Sequence, residues 1–183
     1  MRLIDKRVTV TRRGLIASGG MGLVAMTVLP GGMIAGANGA WAATAEALKP
    51  ETFATLVQMA RDLYPHDRLA DKYYAIAITG LDAKAKEDAE LQTLLEDGAT
   101  GLDEAAQGRQ GRNYADVAWE ADRVAILSDM QESPFFQTVR GHMITGLYNQ
   151  KEVWAIFGYE GESASYGGYL HRGFDDIDWL DQV

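Results

Sequence analysis

The side chains best suited to acid–base or metal chemistry are three histidines, His66, His142 and His171. Zinc-binding helices often carry two histidines four residues apart, and none of these three has such a neighbour. The fold could still bring them together, but a lone histidine is more often a structural or surface residue. We therefore predict no metal site in this chain.

The other patterns that could do chemistry are incomplete. The acidic residues 175–178 lack the rest of an EF-hand loop, and Ser163 and Ser165 have no adjacent base in the sequence. Residues 20–25 match a dinucleotide-binding glycine pattern, which is meaningful only between a strand and a helix. The absence of cysteine excludes disulfides, thiolate metal ligands, iron–sulfur clusters and covalently attached haem. We therefore predict no catalytic residue and no cofactor in this chain.

The N-terminus has the three parts of an export signal. Basic residues precede an uncharged, glycine-rich stretch at residues 14–37, and Ala40 and Ala42 place small residues where a signal peptidase reads them. Arg12 and Arg13, at the head of this weakly apolar stretch, make it a twin-arginine signal. We expect the twin-arginine translocase to export the folded chain to the periplasm, with cleavage after Ala42. The alternative is an uncleaved segment that anchors the chain in the membrane.

Cleavage would leave residues 43–183, which have the size of one ordinary domain. Five of the 17 Lys and Arg residues and one of the 26 Asp and Glu residues precede residue 43, so the remainder carries a net charge of −13. Such acidity disfavours nucleic acid and anionic lipid as partners. We expect one acidic domain that binds no nucleic acid.

Apolar residues at helical spacing predict a mostly α fold, a small bundle of about five helices. The first helix begins at Pro50 and ends before Pro65, and Ser133 caps a fifth helix that begins with proline. Between them we predict a helix over residues 69–80, a helix capped by Asp82, a loop over 98–111 and a helix over 114–130.

Aromatic residues alternate with glycines towards the C-terminus, which predicts an irregular extension from about residue 149. Aromatic side chains in polar surroundings resemble the core and rim of a protein interface. The alternative is that they close the domain's own core, which is the more frequent role for residues placed like Trp154 and Phe157. The predicted partner interface comprises Trp154, Phe157, Tyr159, Tyr166, Tyr169, Phe174 and Trp179.

Three features together carry a family resemblance. They are the twin-arginine leader, the string RDLYPHD at residues 61–67, and a C-terminal run with FF at 135–136, GLY at 146–148, WAIFGY at 154–159 and YGG at 166–168. The chain thereby resembles the small exported subunits of membrane-bound flavin dehydrogenases, the gluconate 2-dehydrogenase subunit 3-like group. It departs from that group in one respect, because its tryptophan precedes the YGG string.

The resemblance implies a helical, non-catalytic subunit that supports folding and twin-arginine export of a larger FAD-binding subunit. That partner would be a sugar, sugar-acid or alcohol dehydrogenase of the glucose-methanol-choline type, often completed by a cytochrome c. FAD would then belong to the partner and not to this chain. Two alternatives stay open: a periplasmic enzyme, which a cleft pairing His66 or His142 with an acid would support, and a periplasmic small-molecule-binding protein with the aromatic tail as its platform.

Overall fold

The computed structural model describes residues 26–29, 33–36 and 42–171, and this part of the chain is mostly helical, as predicted. Its six α-helices form a small bundle, accompanied by a three-stranded antiparallel sheet and two short 3-10 turns. The strands are β1 (Met26–Leu29), β2 (Met33–Gly36) and β3 (Ala42–Thr44). The helices are α1 (Pro50–Leu63), α2 (Asp71–Glu87), α3 (Ala89–Gln110), α4 (Glu120–Asp129), α5 (Pro134–Tyr148) and α6 (Lys151–Phe157).

Helix α1 is the centre of the bundle and lies where the sequence predicted it. Pro50 occupies its first turn, where a missing N–H is harmless, and Glu51 complements the helix dipole. Its apolar stripe is buried against α2, α3, α4 and α5, with Phe53 and Leu56 fully enclosed. The helix ends before Pro65, which cannot continue the hydrogen-bond ladder.

Helix α2 is longer than predicted, because it runs through Gly80 and Asp82 without a break. The prediction that Asp82 caps a third helix is wrong. The buried carboxylate of Asp82 instead accepts hydrogen bonds from the backbone N–H groups of residues 46–48, at 2.7, 3.1 and 2.8 Å. These bonds tie the segment after β3 to α2. The cap of α3 is Asp88, whose carboxylate accepts from two backbone N–H groups of the first turn at 3.0 Å each.

The predicted loop between Gly98 and Gly111 is also wrong, because α3 continues to Gln110 and ends only at Gly111, which has a left-handed φ of 66°. Gly98 allows close packing rather than a turn, since a Cβ atom there would overlap the ring of Phe135 on α5. Nothing in the structure explains the glycines at positions 101 and 108, which face open space.

The helix predicted over residues 114–130 begins late. Tyr114–Asp116 form a 3-10 turn, residues 117–119 are extended, and α4 occupies only Glu120–Asp129. The extended stretch is held by the Arg123 guanidinium, which donates to the carbonyl oxygens of residues 117 and 118 at 2.6 and 3.3 Å. Helix α5 is as predicted, with the Ser133 hydroxyl accepting from the N–H of its third residue at 3.2 Å.

The C-terminal extension is more regular than predicted. It contains α6, which ends at Gly158 with a left-handed φ of 77°, and a 3-10 turn over Ser163–Tyr166. The indole Nε1 of Trp154 donates to the carbonyl oxygen of Tyr148 at 2.5 Å, so α6 is fixed to the end of α5.

Strands β1 and β2 lie within the segment predicted to be the export leader. They pair antiparallel, with Met26 opposite Gly36, and they pack on α1, where Ile34 is fully buried. Arg12, Arg13 and Ala40 lie outside the described residues, whereas Ala42 begins β3. Among the described helices, none combines the length and apolarity needed to cross a bilayer.

Candidate functional site

The connection between α1 and α2 is locked by Arg61, and this places His66. The Arg61 guanidinium donates through Nη1 to the carbonyl oxygens of His66 and Leu69, at 2.7 and 3.0 Å. The Tyr74 hydroxyl donates to the carbonyl oxygen of Tyr64 at 2.6 Å, and the Tyr64 hydroxyl reaches the backbone of α5 at 3.0 Å. The connection is therefore a fixed loop that faces the C-terminal end of α5.

His66, on the loop between α1 and α2, contacts Tyr148 at the end of α5, although the two lie 82 positions apart in the sequence. His66 Nε2 and the Tyr148 hydroxyl share a hydrogen bond of 2.7 Å, and their rings meet edge to face at 5.7 Å. The ring of Phe157 on α6 lies 5.0 Å from the His66 ring. Three separate elements thus form one aromatic cluster at this end of the bundle.

An open cleft of about 410 Å³ lies beside this cluster. Its aromatic lining includes two contacting ring pairs, Tyr148 with Phe157 at 6.1 Å between centroids and Trp154 with Tyr159 edge to face at 5.4 Å. Gly161, with φ of +106°, lets the chain turn tightly over the indole of Trp154. The residues that line the cleft are Tyr148, Asn149, Trp154, Phe157, Tyr159 and Glu162.

The C-terminal extension carries exposed apolar side chains, two of which line the cleft, and we call this set the aromatic edge. Its side chains keep a large exposed fraction: Phe157 45%, Tyr159 50%, Tyr166 60%, Tyr169 59% and Leu170 76%. Trp154, the remaining predicted interface residue that is described, is partly buried behind them. Phe174 and Trp179 lie outside the described residues. Of the predicted interface residues, the structure therefore brings Trp154, Phe157 and Tyr159 together in the cleft and leaves Tyr166 and Tyr169 exposed outside its lining.

The hydrogen-bonded pair of His66 and Tyr148 brings no charge to this region. Burial lowers the pKa of His66, and the neighbouring positive charge of Arg61 lowers it further. Burial raises the pKa of Tyr148, to which the nearby Tyr64 also contributes. Both side chains are therefore neutral near pH 7.

The string at residues 61–67 that carries part of the family resemblance has a structural role at Asp62. The carboxylate of Asp62 is fully buried and accepts from Arg123 Nε and Nη2 at 2.7 and 2.8 Å and from the Tyr114 hydroxyl at 2.7 Å. Gln58 completes the cluster with its amide 3.2 Å from both carboxylate oxygens. This cluster joins α1 to α4 and to the 3-10 turn Tyr114–Asp116, which precedes α4.

The other histidines do not form a catalytic pair. His142 lies between α2 and α5, with Nε2 donating to the Ala77 carbonyl oxygen at 2.9 Å and Nδ1 3.3 Å from the Lys84 ammonium. His171 is exposed. Within residues 26–29, 33–36 and 42–171, no histidine is hydrogen-bonded to a carboxylate, and no cluster of three His, Asp or Glu side chains could hold a metal ion.

Sequence reasoning missed three members of the cleft: Tyr148 as a wall, and Asn149 and Glu162 as its polar groups. Tyr148 was recognisable as one of the C-terminal aromatics, but its contact with His66 depends on tertiary packing alone. Glu162 gave no signal, because a single glutamate in an acidic chain is ordinarily a solvated residue. Comparison of the chain with protein-family models, with curated proteins and with solved structures gave no match.

Proposed function

We propose that this chain is the small, non-catalytic subunit of a flavin-dependent dehydrogenase complex. It would support the folding and twin-arginine export of a larger FAD-binding subunit of the glucose-methanol-choline type, with FAD and the catalytic residues in that partner. The observation that carries the proposal is the aromatic edge. The family resemblance supplies the identity of the partner.

The exposure of the aromatic edge favours an interface at this surface. Four aromatic side chains and Leu170 lie close together in sequence, each with 45% or more of its surface exposed. Soluble monomers rarely present large contiguous apolar surfaces unless they bind something there. Tyr and Trp are also the residues that most often dominate binding energy at interface centres. The apolar stripes of α1 to α5 already fill the core, and these side chains keep accessible surface that a partner would cover.

The proposal is tested by replacing Tyr169 with alanine in the full chain. Loss of an aromatic anchor at an interface costs about 2 kcal/mol or more, which corresponds to a roughly 30-fold weaker complex. The measurements are the affinity for a co-expressed large FAD-binding subunit and the melting temperature of the small subunit alone. We expect weaker binding with nearly unchanged melting.

Trp119→Ala is the matched control, because Trp119 is 63% exposed but lies before α4 and lines a different cleft. It should leave the complex unaffected. Equal weakening by both variants, or a lower melting temperature of Tyr169→Ala with normal binding, would contradict the assignment of the aromatic edge as the interface.

Export has a separate test. Changing Arg12 and Arg13 together to lysine should retain the precursor in the cytoplasm, because the twin-arginine translocase reads that pair. Export by the translocase decides whether the chain reaches the periplasm. Any membrane association, through partners or through an uncleaved signal, depends on that export. A normal periplasmic yield of the double variant would indicate the general secretion route.

A periplasmic small-molecule-binding protein is the second candidate, favoured by the open aromatic cleft between α5 and the 3-10 turn. Aromatic walls with a few polar groups are typical of ligand sites. Titration with sugars and aromatic acids, followed by tryptophan fluorescence, separates this candidate from the subunit proposal.

A further inference from the structure

The cleft has an electrostatic character that its aromatic composition alone does not express. The faces of aromatic rings carry partial negative charge, and four aromatic residues line this opening: Tyr148, Trp154, Phe157 and Tyr159. The indole N–H of Trp154 is already used by the carbonyl oxygen of Tyr148, so it does not serve as a donor to a ligand. An aromatic lining of this composition favours a cation that can reach a ring face.

The polar groups of the cleft point in the same direction. The Glu162 carboxylate lines it and is held in place by the Ser165 hydroxyl, which donates to Oε1 at 2.7 Å. Asn149 adds an amide whose oxygen can accept a hydrogen bond. No lysine or arginine is among the residues that line the opening within the described part of the chain. A group that brings positive charge and hydrogen-bond donors would match both the rings and the carboxylate.

We propose that this cleft binds an arginine or lysine side chain of the large subunit, an inference that rests on the proposed function. A basic side chain from a protein fits better than a free amine because the cleft is open and shares Phe157 and Tyr159 with the exposed aromatic edge. The chain's net charge of −9 also favours a basic partner surface. The aromatic edge would then provide apolar contact area, and the cleft would provide charge recognition.

The test uses the isolated full chain labelled with 5-fluorotryptophan and titrated with N-acetyl-arginine amide. Arginine amide should shift the fluorine resonance of Trp154 in a saturable way, whereas the equivalent citrulline amide, which is isosteric but uncharged, should not. The Trp119 resonance is an internal control, because that residue lines a different cleft. Equal shifts with both amides would overturn the inference, because the cleft would then be reading shape and not charge.

Two variants check which groups are responsible. Phe157→Leu keeps an apolar side chain without a ring and should weaken arginine binding roughly two- to fivefold, the range expected for one exposed cation–π contact. Glu162→Gln removes the charge of the carboxylate and should weaken binding to a similar extent. Trp119→Leu, which changes an exposed side chain in a different cleft, should leave it unchanged. Equal affinities for all three variants would overturn the inference.

Further measurements distinguish a protein side chain from a free ligand as the source of the cation. They also distinguish failure of this inference from failure of the proposed function. Tighter binding of tetramethylammonium than of arginine amide would indicate a free quaternary ammonium ligand and overturn the assignment to a side chain. Normal complex formation with a large FAD-binding subunit, together with no arginine binding, would overturn this inference and leave the proposed function intact. Arginine binding without any such complex would overturn the proposed function and support the cation site.

Discussion

Replacing Asp62 by asparagine should destabilise the protein severely, because it leaves the buried charge of Arg123 without its partner. Neither side chain of this pair has measurable exposure, and the two are joined by two hydrogen bonds of 2.7 and 2.8 Å. Asparagine can accept one of these bonds, but its NH₂ group would oppose a guanidinium N–H. Removing one partner of a buried ion pair costs about 3–5 kcal/mol.

At about 2–4 °C per kcal/mol for a chain of this size, the melting temperature should fall by roughly 6–20 °C. Urea unfolding of the full chain measures the same loss as a lower midpoint with an unchanged slope. Asp129→Asn is the matched control, since Asp129 pairs with Arg109 on the surface. Exposed pairs contribute at most about 1 kcal/mol, so this control should melt almost normally.

A double-mutant cycle identifies the cause of the loss. Arg123→Met removes the buried charge, so adding it to Asp62→Asn should cost less than the sum of the two single changes. Additive losses would show that the carboxylate and the guanidinium do not depend on each other. If Asp62→Asn were as mild as the Asp129 control, the cluster would not stabilise the fold as described.

Three further predictions concern packing, pH and the leader. Gly98→Ala should destabilise by about 1–3 kcal/mol through overlap with the facing ring, whereas Gly101→Ala, which meets nothing, should stabilise by about 0.5–1 kcal/mol; urea unfolding compares them. Stability should fall as the pH drops below about 6.5, because the lowered pKa of His66 lets the unfolded state bind the proton first. Melting temperatures measured across this pH range should show a smaller fall for His66→Gln. Deleting residues 1–42 removes Ile34 from the core and should cost about 1.5–3 kcal/mol in urea unfolding.

Each of these has a clear contrary result. Equal effects of the two glycine substitutions would mean that α3 and α5 are not in close contact at position 98. A pH profile unchanged by His66→Gln would mean that this imidazole is as solvated in the folded protein as in the unfolded chain. Unchanged stability after deletion would show that β1 and β2 contribute nothing to the stability of the full chain.

The class of the fold and two of its helices could be predicted because their signals are local. Prolines mark the starts of α1 and α5, and regular apolar stripes define their buried faces. The limits of α2, α3 and α4 could not be predicted, because the deciding residues act across the chain. Asp82 binds backbone 34 to 36 residues earlier, and Arg123 meets a carboxylate 61 residues earlier. Read locally, an aspartate suggests a cap and a glycine suggests a turn.

The structural roles of the residues in the string at 61–67 decide what the family resemblance can support. In the string at residues 61–67, Arg61 ties the loop between α1 and α2, and Asp62 neutralises Arg123 inside the bundle. Any protein that shares this fold has reason to keep those two side chains, whatever it binds. Likeness at this string is therefore an argument for a common fold and not for a common partner. The exposed C-terminal rings and Glu162 support the functional proposal instead, although Phe157 also packs against His66 and Tyr148. Variants at Phe157, Glu162 and Tyr169 consequently test the function, whereas variants at Asp62 test only the scaffold that positions it.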